Sequence, residues 1–286
     1  MQISKKFGQG KTVFSLEVFP PKKDSPVESI YRVLGELTKL NPDFISVTYG
    51  AGGNAADHTT CDIASYIQSN YGIDALTHLT CVNSTKEDMD TTLEYLKSQG
   101  IMNILALRGD RNPEIEPKKD FTYASNLVEY IKTKGDFHLS GACYPEIHIE
   151  ASSMEENLEY LKYKVDCGAD HLISQLFFDN DYFFNFLEKA RNKGITVPIE
   201  AGIMPVVNKK QIERMVTMCG ASIPSKLAKI LQRYEHQEEA LRDAGIAYAV
   251  EQIMHLVASG VDGIHLYTMN NAYIATKIHE AIFRLL

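Results

Sequence analysis

Cysteine is scarce and unpatterned in this sequence. Its five residues, Cys61, Cys81, Cys143, Cys167 and Cys219, are odd in number, widely spread and nowhere arranged as CxxC. That suits a reducing compartment and argues against a structural zinc site; no HExxH or paired-histidine spacing appears either, so no metal is expected. Clustered basic charge is also missing. The longest runs are Lys5-Lys6 and Lys22-Lys23, and the net charge is -8, which speaks against nucleic acid as a partner because such binding depends on counterion release at grouped Lys and Arg. A local positive pocket for a small anion stays open. No stretch approaches the roughly 18 apolar residues of a membrane span. The start, MQISKKFGQGKTVF, lacks the apolar core of a signal peptide. No membrane association and a cytoplasmic location are therefore expected. Short-period repeats, low-complexity tracts and Pro/Ser-rich linkers are absent too.

What is present is core material and a regular alternation. Of 286 residues, 44% are apolar and 23% charged, the balance of an ordinary globular protein. Short β-rich runs occur at Val13–Val18, Phe44–Tyr49, Ala75–Thr80, Ile104–Leu107, Leu139–Cys143, Leu172–Phe177, Ile199–Ile203 and Ile264–Tyr267. Between them lie amphipathic stretches such as Val27–Leu40, Lys86–Gln99, Ser125–Lys134, Met154–Cys167 and Asp181–Lys193, with apolar residues (Leu158, Leu161, Val165) at helical spacing. Gly100, Gly168, Gly194 and Gly260 sit where a left-handed residue would cap a helix end. Ser84 with Glu87, and Ser153 with Glu156, mark two helix starts.

Strand–helix alternation predicts parallel strands, and eight such units predict a closed (β/α)8 TIM barrel as one domain over residues 1–286. Extra helices are expected after the seventh strand, near Lys209–Cys219, Ile223–Tyr234 and Gln237–Ser259. The competing open, doubly wound sheet would carry a Gly-rich loop after its first strand. Glu17-Val18-Phe19-Pro20-Pro21 stands there instead, and Gly50-Ala51-Gly52-Gly53 fails GxGxxG because residue 55 is alanine.

Polar groups at the carboxyl ends of barrel strands face the mouth. Here they are Glu17, Thr48, Tyr49, His78, Arg108, Asp110, Tyr144, His148, Gln175 and Tyr267. Glu17 stands in the apolar run Phe14-Ser15-Leu16-Glu17-Val18-Phe19 before a Pro-Pro corner. Desolvation there predicts a raised pKa and a general acid; the alternative is a glutamate paired with a basic neighbour as barrel filling. Arg108-Gly109-Asp110 is either a ligand clamp or a mutual pair, with glycine admitting close approach of a ligand. Tyr144-Pro145-Glu146-Ile147-His148 offers an aromatic face and a ring donor, although on spacing alone a turn with a solvated histidine is the plainer reading. His78 reads equally as a satisfied core histidine.

Taken together, the segments FSLEVFPPK, FISVTYGAGG, THLTC, ILALRGD, YASNLV, ACYPEIH, KVDCGAD, SQLFFD, GIMPVVNKKQ and HLYTMNNA resemble the methylenetetrahydrofolate reductase family, in family order from about residue 13 onward. The resemblance implies a (β/α)8 barrel binding FAD that reduces 5,10-methylenetetrahydrofolate to 5-methyltetrahydrofolate, supplying methyl groups for methionine synthesis. NADH or NADPH is the implied donor, in a ping-pong scheme in which nicotinamide and folate use one pocket in turn. Glu17 matches the general acid of ring opening, and Asp110 the aspartate that stabilises the cationic intermediate. FAD contacts are implied for Tyr49, Ala51, His78, Arg108, Gly109, Asp110, Tyr123, Tyr144, His148, Ala151 and Lys164, with Asn157, Tyr160 and Tyr163 on the adenine side. Thr48 and Gln175 would meet nicotinamide or folate; Asp110, Gln211, Tyr267 and Asn271 would lie on the folate side.

Some positions depart from the family's usual pattern. Asn271 stands where arginine is usual among bacterial members. Asn157, Tyr160 and Tyr163 replace Asp, Asn and Arg, and Met215 replaces an aromatic. These departures concern the folate tail and the adenosine half of FAD, not the reaction. Because the sequence stops after its eighth barrel helix, inhibition by S-adenosylmethionine is not expected, and a homo-oligomer is. Two other readings stay open. One is a sugar-phosphate aldolase or isomerase barrel, which would need an anion loop that Gly202-Ile203-Met204-Pro205 and Thr268-Met269-Asn270 do not supply. The other is a flavin- or folate-binding barrel without catalysis.

Overall fold

The computed structural model describes residues 1–22, 25–49, 58–110, 116 and 118–286. Eight strands run in chain order around a closed barrel: β1 (Val13–Val18), β2 (Phe44–Val47), β3 (Asp74–Thr80), β4 (Asn103–Leu107), β5 (His138–Cys143), β6 (His171–Ser174), β7 (Ile199–Ile203) and β8 (Gly263–Tyr267). Every neighbouring pair is parallel, and β1 meets β8 with Ser15 beside His265 and Glu17 beside Tyr267. The helices are α1 (Glu28–Leu37), α2 (Thr59–Tyr71), α3 (Lys86–Ser98), α4 (Ala124–Lys132), α5 (Met154–Asp166), α6 (Asn180–Asn192), α7 (Lys209–Cys219), α8 (Ser225–Tyr234), α9 (Glu238–Ala258) and α10 (Ala272–Ile282).

Side chains alternate across a strand, and that alternation divides the core in two. Leu16 and Val18 of β1 point outward and pack with Ile30, Leu34 and Leu37 of α1 in the main cluster between barrel and helices. Val13, Phe44, Leu76, Leu105 and Ile173 turn inward and fill the amino-terminal end of the barrel. A single 3-10 turn, Ile3–Lys6, closes that end: Ile3 joins the inner cluster and its N–H donates to Asn103 Oδ1 at 3.1 Å.

Most helix ends form as their sequences demand. Gly100, Gly168, Gly194 and Gly260 take φ of +70°, +116°, +79° and +77°, the left-handed caps expected of them. The box assigned to Ser84 and Glu87 lies one residue on. Thr85 Oγ1 accepts from Asp88 N at 3.1 Å and Asp88 returns the bond to Thr85 N at 2.8 Å, while the Ser84 hydroxyl turns back to the Thr80 carbonyl. Ser153 caps α5 through Glu156 N, but the Glu156 carboxylate binds Ser152 instead. β2 and β6 are shorter than their β-rich runs, so Thr48, Tyr49 and Gln175 lie on loops at the mouth. Helix α2, rich in Thr, Ile and Tyr, is one that β propensity conceals.

The elements after β7 make a core of their own. Leu176, Phe178, Met204, Val206, Ile212, Ala221, Leu227, Leu231 and Leu241 form a separate buried cluster that roofs one side of the mouth. Its tightest contact is backbone on backbone: a Cβ on Gly245 of α9 would stand 1.8 Å from the Val206 carbonyl oxygen. Gly245→Ala should therefore lower stability by roughly 1–3 kcal/mol or more, read as a drop in the urea midpoint. Among the described residues, no helix is long and apolar enough to cross a membrane.

Candidate active site

Glu17 ends its run of the barrel lining in company the apolar stretch does not reveal. Its Oε2 lies 3.3 Å from His265 Nε2 on β8, 3.5 Å from His78 Nε2 on β3, and accepts from Ser46 Oγ on β2 at 3.5 Å. The side chain is 17% exposed, toward the mouth. Burial raises its pKa, but the His265 hydrogen bond, the fields of His78 and His265 and the Ser46 hydroxyl outweigh that, so the carboxyl sits below its ordinary value. This corrects the expectation of a raised pKa from apolar surroundings alone. The pairing with basic neighbours is present, with His265 and His78, and the side chain opens on the mouth.

The backbone at that point is locked from β8. Thr268 Oγ1 donates to the Glu17 carbonyl at 2.6 Å, and Asn270 clamps Phe19 through both its N–H (3.0 Å) and its carbonyl (2.8 Å). Asn270 does so with φ +54°, a left-handed conformation that asparagine tolerates. His78 is buried with Nε2 lacking a hydrogen-bond partner. Burial first, and the nearby His265 ring, carry it down to about 4, against the pull of Glu17.

Just after β4, Arg108 does not pair with Asp110. Both of its terminal nitrogens bond the Glu150 carboxylate in the loop after β5, and that contact raises its pKa despite partial burial. Asp110 is left exposed. Gly109 has φ +86°, and a Cβ there would meet Thr80 Cβ at 3.0 Å; packing against β3, as well as any ligand, requires glycine. The loop Tyr144–His148 is braced by Asn157, which is buried rather than offered to a ligand: its Nδ2 donates to the Tyr144 carbonyl at 3.2 Å and its Oδ1 accepts from His148 N at 3.3 Å. These bonds bracket Ile147, whose φ of +83° is unusual for a β-branched residue. The Tyr144 and His148 rings meet edge to face at 4.6 Å, and burial pushes the Tyr144 phenol up to about 12.

Lys164 crosses from α5 to donate to the Ala142 carbonyl at 2.7 Å. It can do so because residue 141 is glycine: a Cβ there would stand 2.8 Å from Lys164 Cδ. Burial pulls this ammonium down to about 8, and an anionic group nearby would favour its charged form. Beside it, Tyr123, Tyr160 and Tyr163 expose more than half their surface, and Ala151 lies on the loop between. A cation reached through a glycine gap and exposed aromatic faces suit the phosphates and rings of FAD.

On the far side, Tyr267 donates to the Ser174 carbonyl at 2.7 Å, in space left by Gly202, and Gln175 Oε1 accepts from Leu176 N at 2.9 Å, which keeps its amide N–H groups available. Gln211 opens α7, and Asn271 is the N-cap of α10, its Oδ1 accepting from Ile274 N at 3.2 Å. Ala51 lies outside the described residues. Sequence reasoning missed Ser15, Ser46, Glu200 and His265. The signal was there: polar residues at every second position of β-rich runs, as in Ser15/Glu17 and His265/Tyr267, mark an inward face. Among the described residues, no three His, Cys, Asp or Glu groups are placed to hold a metal.

The family profile of methylenetetrahydrofolate reductase matches residues 2–282. The chain belongs to the methylenetetrahydrofolate reductase family. It is 40% identical over 277 residues to methylenetetrahydrofolate reductase (NADH) 1 of Arabidopsis thaliana, covering 92% of this chain and 47% of that protein. It is 36% identical over 270 residues to 5,10-methylenetetrahydrofolate reductase of Escherichia coli K12, covering 94% and 90%. The chain thus spans about half the length of its plant relatives and most of the bacterial one. Among solved structures, a Clostridium thermocellum protein that binds two copies of 5-methyl-5,6,7,8-tetrahydrofolic acid has the same fold, with TM-score 0.65 at 16% identity over 96% of both chains.

Two buried histidines make stability depend on pH. His78 is held near 4 and His171 near 3, below the roughly 6.5 of a free imidazole. Between those values the unfolded chain binds protons that the folded chain refuses, so their contribution to stability is lost as pH falls from about 6.5 toward 4. His78→Gln should flatten that loss by about 2–3 kcal/mol, measured as urea midpoints of the flavin-free protein between neutral and acid pH.

Proposed function

We propose that this chain reduces 5,10-methylenetetrahydrofolate to 5-methyltetrahydrofolate with NADH or NADPH, using FAD. The observation that carries the reading is a carboxyl group at the mouth end of β1, half-enclosed by His78, His265 and Ser46, in a chain whose family is methylenetetrahydrofolate reductase. FAD, when bound, would supply the hydride chemistry that links the nicotinamide to the one-carbon unit of the folate.

The remaining work falls to the chain. Ring opening needs a proton on the departing nitrogen, and Glu17 is the group at the mouth that can carry one there. A cation then develops on the folate, and the exposed Asp110 carboxylate after β4 can stabilise it. Lys164 and Arg108 would hold the phosphates of FAD, Tyr144 and His148 its ring system, and Tyr123, Tyr160 and Tyr163 its adenine side, with Tyr49, His78, Gly109, Ala51 and Ala151 completing the contact. Asn157 would act by bracing the Tyr144–His148 loop. Thr48 and Gln175 would meet nicotinamide and folate in turn in one pocket, in a ping-pong scheme, and Gln211, Tyr267 and Asn271 would contact the folate. The 5-methyl-5,6,7,8-tetrahydrofolic acid bound by the Clostridium thermocellum protein belongs to the same substrate class, on a barrel of the same fold.

Glu17→Gln keeps the shape of the side chain and removes the transferable proton. Methylenetetrahydrofolate reduction should fall by roughly a hundredfold or more, while NADH oxidation with a quinone acceptor persists. Equal loss of both half-reactions would make Glu17 a cofactor contact instead of the acid.

A further inference from the structure

The barrel interior carries a second carboxyl that the reaction so far does not use. Glu200 of β7 is fully buried beneath Glu17. Its Oε1 is 2.8 Å from Ser15 Oγ, Ser15 Oγ is 2.6 Å from His265 Nδ1, and His265 Nε2 is 3.3 Å from Glu17 Oε2. Every link in this series both accepts and donates a proton. Resting on the reading of Glu17 as the ring-opening acid, we propose that its proton is stored on Glu200 and reaches it through Ser15 and His265. Glu200 touches no substrate; it is a positioning residue for the proton.

The transfer balances without any redox step. The Glu200 O–H gives its proton to Ser15 Oγ, the Ser15 proton moves to His265 Nδ1, and the His265 Nε2 proton passes to Glu17 Oε2. Afterwards Ser15 donates to the Glu200 carboxylate, His265 is the other neutral tautomer, and the negative charge has moved from Glu17 to Glu200. With the mouth open, water reloads the series in reverse through the partly exposed Glu17.

The surroundings of each end favour this direction of storage. Facing Glu200 are Ser15 of β1, His265 of β8 and His171 of β6. The Glu200 Oε2 to His171 Nε2 distance is 2.9 Å, without the alignment of a hydrogen bond. Burial carries Glu200 up to about 7, aided by Asp43 and Asp262 below and opposed by His265 and Ser15. Facing Glu17 are His78, His265, Ser46 and Tyr267, and the balance there runs the other way. In the open enzyme, then, the shared proton rests on Glu200.

Two features argue that this is more than filling. A Cβ on Gly263 would stand 2.7 Å from Glu200 Cγ, so the neighbouring strand leaves room for the carboxyl. Below it, the Phe7 ring lies against His171 at 4.8 Å, and Ile3, Leu76, Leu105 and Ile173 fill the barrel end. That packs apolar and aromatic side chains at the barrel end below Glu200, while Ser15 and His265 connect it toward Glu17 and the mouth; His171 on the other side is bonded to Ser140. A well-packed apolar side chain would serve stability as well at less desolvation cost.

The test uses the FAD-loaded enzyme. In infrared difference spectra at about pH 6, the protonated-carboxyl band should persist in Glu17→Gln and vanish in Glu200→Gln. In single turnovers, Glu200→Gln and Ser15→Ala should each slow the folate half-reaction relative to the nicotinamide half-reaction by roughly tenfold or more. KM for the folate should hold, and the fall in rate near neutral pH should flatten. A band lost in Glu17→Gln in place of Glu200→Gln, or a wild-type ratio and pH profile in Ser15→Ala, overturns the relay. Should Glu200→Gln fail to retain FAD, Ser15→Ala alone decides. Full folate turnover in Glu17→Gln removes the acid reading itself. Loss there combined with wild-type behaviour in the two relay variants removes only the relay.

Discussion

The structure depends on keeping two carboxylates and three imidazoles inside a barrel whose lining is ordinarily aliphatic. A lone buried carboxylate would cost several kcal/mol, so Glu17 and Glu200 are tolerable only with His78, His171, His265 and the hydroxyls of Ser15, Ser46 and Ser140 around them. This fixes the residue sizes of the whole middle layer. Serines at three of its positions and glycine at 263 leave the volume that the two glutamates and three rings take up. The hydrophobic contribution that a barrel interior normally supplies is moved outward to the helix–strand cluster and downward to the plug built on Ile3, Phe44 and Leu105.

That arrangement sets the mouth as well. Glu17 opens on the mouth close to the point where β1 gives way to the Pro20-Pro21 corner, and the turn after β8 holds this junction with Thr268 and Asn270. Across the barrel, Asn157 holds the strained turn at Ile147, and Arg108 reaches Glu150 from the neighbouring strand end. The described loops at these points are thus tied by side-chain hydrogen bonds to the strands and helices beside them. Such preorganisation is what a proton donor needs, since transfer falls off steeply with misplacement.

The fold was legible because alternation of β-rich and amphipathic stretches is a long-range, redundant signal. Eight strands and the post-β7 helices follow from it, with ends displaced by one to three residues at β2 and β6, where apolar content continued into loops. The site was legible only as a set of strand-end residues. Glu17 read as a carboxylate in apolar company because its immediate neighbours Leu16 and Val18 point away from it; the residues that touch it, His78, Ser46 and His265, come from three other strands. Arg108 and Asp110 are two positions apart in sequence and so were candidates to pair, whereas the actual partner, Glu150, lies 42 positions on. Register across a barrel is not written in local spacing, and pKa direction depends on register.

Asn271 can be understood on the same terms. An arginine at this position would offer a cation to an anionic ligand, but it could not accept the Ile274 N–H that now opens α10. Asparagine is among the best N-caps, worth about 1 kcal/mol over a non-capping residue. The departure therefore exchanges a long-range charge for a local helix start at the same place. Neighbouring Met269 and Asn270, both left-handed, complete a tight turn that the cap helps define, and that turn in turn holds Phe19 and the carbonyl of Glu17. Asparagine in place of a cation at this position thus strengthens the frame that holds the backbone of Glu17; under the proposed function, its effect would fall on substrate affinity and not on the proton-transfer step.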